Sequence, residues 1–238
     1  MVLFFTGCSF VNKLKVLILS ASVNNMKEIA LNVYIDEDMN ITQQKHLLVQ
    51  ILQAKEYVSD IYGETISTPM IYACSTKECT KTLGIGARAY NMYNHIALSP
   101  KALSVALISH EWSHAELYKR VGGFFNWRKI PAWFDEGLAV VVSKNEPRHN
   151  KRSWQKIQDE HIPYPSIDEL VTTHQWIDAT HKYQEGLNND EIVVTYAVAG
   201  NIVSEWYKKV GTKGLNELFE DIKNGSSFDE AYKKHDKL

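Results

Sequence analysis

Residues 110–114 read His-Glu-Trp-Ser-His, a spacing that puts both imidazoles on one face of a helix, aimed at a common point. The pattern therefore predicts a helix that supplies two ligands to a metal. Glu111 projects from the flank of the same face, where its carboxylate holds a metal-bound water rather than the metal. A catalytic zinc site has three protein ligands and one open position, so a third ligand must come from elsewhere in the chain. An extended His-Glu-x-x-His-x-x-Gly-x-x-His pattern would need Gly at 117 and His at 120. The chain has Leu117 and Arg120 instead. The other route takes a carboxylate from a following helix, and Pro131-Ala-Trp-Phe-Asp-Glu136-Gly-Leu-Ala supplies it. Glu136 is the expected third ligand. Asp135 is its rival; otherwise Asp135 orients a ligand histidine or caps the helix.

The surroundings suit such a helix. Ser99 is a good N-cap, Pro100 fits the first helical position, and Gly122-Gly123 closes the segment. Upstream, residues 29–35 alternate as a strand and residues 42–62 carry apolar positions at three- and four-residue steps, ending at Gly63. Residues 69–74 read as another strand, and 85–98 as one or two more, broken around Asn91 and Asn94. A further helix starts at Pro131, and helical spacing recurs over 166–173, 191–209, 213–223 and 226–234. The expected fold class is α+β. A mixed sheet with the motif helix, over 26–145, packs on a mostly helical half, 146–238, with the active-site cleft between them.

At 238 residues and 45% hydrophobic content the chain is long and apolar enough to bury a core. The net charge of −2 comes with no strongly basic cluster, so nucleic acid is not an expected partner. Three cysteines are too few for a disulfide framework or a four-cysteine zinc site. Cys74 and Cys79 flank a short polar stretch and form either a loop-closing disulfide or two free thiols.

His110-Glu-Trp-Ser-His114 followed by Pro131-Ala-Trp-Phe-Asp-Glu136-Gly-Leu-Ala resembles the gluzincin metallopeptidases of the thermolysin-like clan, nearest to the small peptidase-MA-like domains. The strong resemblance covers residues 99–143. It implies one zinc ion per chain on His110, His114 and Glu136, with Glu111 as general base for water and peptide-bond hydrolysis as the reaction. In this family a tyrosine or histidine of the helical half faces the base and donates to the oxyanion. Tyr196 is the candidate, with His161, His174 and His181 as substitutes and a plain core tyrosine as the alternative. Such peptidases commonly hold an extended substrate along the strand before the motif helix, which would place Tyr90 and Tyr93 on that edge; otherwise they belong to an ordinary sheet strand. Trp112 and Trp133 are expected to pack the two ligand-bearing helices together. Glu116 points away from the metal face, as a solvated charge or a partner of Arg120.

Phe5-Thr6-Gly7-Cys8 resembles the end of a bacterial lipoprotein signal, without the basic and apolar segments that precede such an ending. Residues 1–25 are accordingly read as a truncated export signal plus a first strand. The protein is expected to be exported or lipid-anchored through Cys8 in a bacterial envelope. The alternative is a cytoplasmic protein whose residues 14–20 are its first strand. The expected partner is a peptide or protein substrate and the expected state a monomer, with an endopeptidase favoured over an exopeptidase. The rival function is an inactive zinc-containing binding or scaffold domain of the same fold.

Overall fold

The computed structural model describes residues 26–86, 88–144, 151–188 and 191–236. The lipoprotein-type ending at Cys8 and the strand at 14–20 lie outside the described residues. Strands β1 (Met26–Ala30), β2 (Val33–Asp36), β3 (Met70–Ala73), β4 (Ala89–Met92) and β5 (His95–Leu98) form one mixed sheet in the order β1-β2-β3-β5-β4. The single strand expected over 29–35 is a tight antiparallel hairpin, turned at Asn32 with φ 61°. Asparagine tolerates that left-handed backbone better than most residues. Two parallel pairings, β2 with β3 and β3 with β5, make the centre, and a second antiparallel hairpin places β4 at the edge.

Helix α1 (Ile41–Tyr62) crosses from β2 to β3, as its apolar spacing predicts. Asn40 caps it by accepting from the Thr42 and Gln43 amides, and the chain leaves at Gly63 with φ 83°. A short helix α2 (Lys77–Thr82) follows β3, and the Cys74–Cys79 disulfide ties its first turn to the strand end. The motif helix α3 spans Val105–Arg120. It begins later than expected: Ser99-Pro100 opens only a 3-10 turn, Pro100–Ala102, and Ser104 then caps α3 by accepting from the Leu107 amide.

Downstream of α3 the helices differ from those that periodicity suggests. After a four-residue helix α4 (Phe124–Trp127) come α5 (Ala132–Ser143), α6 (Lys151–Asp159), α7 (Thr173–Gln184), α8 (Val194–Lys223) and α9 (Phe228–His235). The helix expected at 166–173 is a single 3-10 turn, Ile167–Leu170. Helix α8 joins the two segments expected on either side of Gly211, which kinks it with φ 62° and ψ −170°. One hydrophobic core runs from Val33 to Ala231, so sheet and helical half share it. Among the described residues no helix is long and apolar enough to cross a membrane.

Two contacts fix α3 within this core. On its back face Glu116 is fully buried and accepts from the Ile66 amide (3.0 Å), the Ser67 amide (2.9 Å), the Ser67 hydroxyl (2.6 Å) and Arg120 Nε (2.8 Å). Arg120 also donates to the Glu64 carbonyl and to Asn216, while Trp112 Nε1 donates to the Ser67 hydroxyl at 3.0 Å. Of the two readings of Glu116, pairing with Arg120 holds, and solvation is replaced by a saturated buried site. On the front, α5 packs against both α3 and α8. A Cβ on Gly137 would meet the Ala199 carbonyl oxygen at 2.5 Å and Val203 Cγ2 at 2.6 Å.

Gly137→Ala is therefore expected to lower stability by about 2 kcal/mol or more, because backbone has to move. Gly86→Ala meets nothing within 4 Å and serves as the neutral control in urea unfolding. Glu116→Ala leaves Arg120 without its buried carboxylate and should cost about 3 kcal/mol or more in the same assay.

Candidate metal centre

Helix α3 brings His110 and His114 onto one face, and α5, packed beside it, brings Glu136 to them. Glu136 Oε2 lies 3.4 Å from His110 Nε2 and 3.6 Å from His114 Nε2. Ligands about 2.0–2.1 Å from a tetrahedral ion are separated from one another by about 3.3 Å. The three side chains thus fit a small divalent cation, and their donor atoms all lie within 4.8 Å of one another.

Asp135 is not part of this triangle. Its Oδ1 accepts from His114 Nδ1 at 2.6 Å, and its Oδ2 accepts from Trp127 Nε1 at 3.1 Å. The bond to Nδ1 turns Nε2 of His114 toward Glu136, the arrangement by which a carboxylate orients a metal-binding histidine. The orienting role expected of Asp135 is what this geometry supports. Helix capping is not its role, since Pro131 occupies the N-cap.

The electrostatics point the same way. Burial acts against charge on His114, yet the Asp135 and Glu136 carboxylates overcome it and push its pKa up to about 10. Burial raises the Glu136 carboxyl, while the His114 and His110 imidazoles pull it down. A cluster that draws a proton onto His114 to balance its carboxylates accepts a metal cation in the same place. Glu111, 5% exposed, sits beside the triangle with its pKa raised by burial, while His110 and His114 pull it down.

Glu111, His114, Asp135 and Glu136 face a cleft of about 540 Å³, within the ordinary range for a ligand site. Asn91, Met92 and Tyr93 line it from β4 and the turn after it; Tyr118, Phe124 and Trp127 gather around Tyr93, and Val171 to Thr173 with Trp176 also line the cleft. Of the two tyrosines expected on the edge, Tyr93 reaches the cleft and Tyr90 does not. Alternation along β4 turns Tyr90 to the outer face of the sheet, where it is 1% exposed in a separate apolar cluster and its hydroxyl donates to the Leu83 carbonyl. Its expected contact with substrate is corrected to a core role.

Tyr196, in the first turn of α8, is buried beside the centre, its ring 5.9 Å from that of His110 and 5.1 Å from that of Trp176. It is outside the residues that line the cleft. His161, His174 and His181 are all exposed and also outside it, so none of them substitutes for Tyr196. Trp133 packs on Phe134 and Phe228, and Trp112 bonds to Ser67, both as interior side chains. Trp127 and Tyr118 are the site residues that motif reading misses. Comparison with known protein families, curated proteins and solved structures gives no match for this chain.

Glu136→Gln is expected to abolish stoichiometric binding of zinc, measured by elemental analysis after dialysis against the metal. Asp135→Asn should retain the fold and weaken zinc affinity by about 10- to 100-fold in a chelator competition.

Proposed function

We propose that this protein is a zinc-dependent peptidase of gluzincin type, hydrolysing peptide bonds in a cleft between an edge strand and a helical half. The observation that carries this reading is the convergence of His110, His114 and Glu136 on one point, with the Glu111 carboxylate beside it in the same cleft. Zinc is the fitting ion for two imidazoles and one carboxylate at these separations.

Bound there, zinc would supply Lewis acidity toward the scissile carbonyl and toward water. The chain's own part begins with Glu111. Its carboxylate accepts a proton from the attacking water as the new carbon–oxygen bond forms, and delivers it to the leaving nitrogen as the carbon–nitrogen bond breaks. The raised pKa suits a group that must hold that proton between the two steps. Asp135 keeps His114 oriented throughout. Tyr196 is assigned to oxyanion stabilisation by resemblance; its closeness to His110 supports a place near the centre, and its absence from the cleft wall weighs against direct contact with substrate.

Among the described residues β4 is the edge strand of the sheet, and its Asn91 and Met92 line the cleft, which supports an extended peptide as the substrate, held by backbone pairing. The Cys74–Cys79 disulfide supports an exported location, because such bonds persist in oxidising compartments.

Glu111→Gln tests the assignment. The variant should bind zinc like the wild type and hydrolyse a denatured protein substrate about 100-fold more slowly or worse. Hydrolysis at the wild-type rate would remove Glu111 from the reaction, and zinc binding without hydrolysis in either protein would favour the scaffold reading.

A further inference from the structure

From the last turn of α3 toward α5 the chain runs Tyr118-Lys-Arg-Val-Gly-Gly-Phe124-Phe-Asn-Trp127-Arg-Lys129, rich in aromatic and basic residues and free of acidic ones. Three of its rings meet a fourth from the sheet. Tyr93 lies 5.0 Å from Tyr118, 6.1 Å from Phe124 and 6.5 Å from Trp127, the last two edge-on. All four are at least partly exposed, and all four line the cleft that holds Glu111, His114 and Glu136. Trp127 is one hydrogen bond from Asp135 and two from His114, so this wall begins beside the metal centre.

Tyr93 occupies a costly position to be there. It sits at φ 59° in the two-residue turn between β4 and β5, a left-handed backbone that favours glycine or asparagine and seldom takes a bulky side chain. Packing alone does not account for it, since the ring is not sealed into the core but faces the open cleft. Strained backbone that holds a side chain at the edge of a site points to use of that side chain. At the outer end of the wall the Arg128 guanidinium stands 5.6 Å over the Phe124 ring, and Lys129 also lines the cleft.

We propose that Tyr93, Tyr118, Phe124 and Trp127 form a side-chain subsite that takes a flat aromatic ring of the substrate next to the scissile bond. The inference rests on the peptidase reading of the cleft and names its substrate class: peptides with Phe, Tyr or Trp beside the cleaved bond. Edge-on and offset contacts among rings supply the attraction, with removal of the ring from water as the larger contribution.

The test measures binding, so it is separate from turnover. Zinc-loaded full-length protein is titrated calorimetrically with three metal-chelating probes that differ only in their tails: acetohydroxamate, phenylpropanohydroxamate and aminohexanohydroxamate. The phenyl probe is expected to bind about 30-fold more tightly than the methyl probe, as burial of one ring predicts, and the amine-tailed probe no more tightly than the methyl one. Tyr93→Gly, which the local backbone accommodates, and Phe124→Ala should each cut the phenyl preference to about fivefold or less while zinc content and affinity for the methyl probe are retained. Equal affinity for the phenyl and methyl probes, or a preference that survives both substitutions, overturns the proposal. If the preference appears and depends on these rings while no peptide is hydrolysed, the subsite stands and the peptidase reading falls.

Discussion

A helix buried on nearly every side that carries His110, Glu111, His114 and Glu116 has to balance each ionisable group from within the protein. The two faces of α3 do so differently. On the back, Glu116 is saturated by two amides, a hydroxyl and an arginine, and nothing there is left to react. On the front, the imidazoles meet Glu136 and Asp135 at distances set by a neighbouring helix, and His114, Asp135 and Glu136 face the cleft. The inert face holds the reactive one in place. Burying both with the same helix explains why sheet, loop 64–67 and helical half converge on it.

How much of this was legible in the chain depends on distance along it. His110, Glu111 and His114 are fixed by one turn of helix, and Glu136 follows because its segment begins at a proline and carries helical spacing. Their separations and the Asp135 to His114 hydrogen bond need α3 and α5 to pack, which no local pattern encodes. For Tyr90, of the two readings, the ordinary strand residue is the one the fold supports, and a four-residue strand gives too few alternations to choose between them from sequence. The start of α3 was misplaced because Ser99-Pro100 and Ser104 both have capping chemistry, and only the second leads into a sustained helix.

Trp127 and Tyr118 show a different limit. Trp127 sits in a helix of four residues, too short for a period, and its role rests on a hydrogen bond to a residue eight positions on. The available signal was compositional: an acid-free aromatic stretch lying between two ligand motifs. Helix α7 had a clearer one, since Thr172 and Gln175 form a reciprocal cap that reads directly as a start.

The contact at Gly137 governs positional tolerance. A metal ligand must be located to within about 0.2 Å, yet side-chain packing between helices ordinarily leaves more play than that. Here the residue after Glu136 has no side chain, and a Cβ there would meet the Ala199 carbonyl oxygen of α8 at 2.5 Å. The backbone that carries Glu136 is thereby set against main chain, the stiffest reference one helix offers another, rather than against side chains alone.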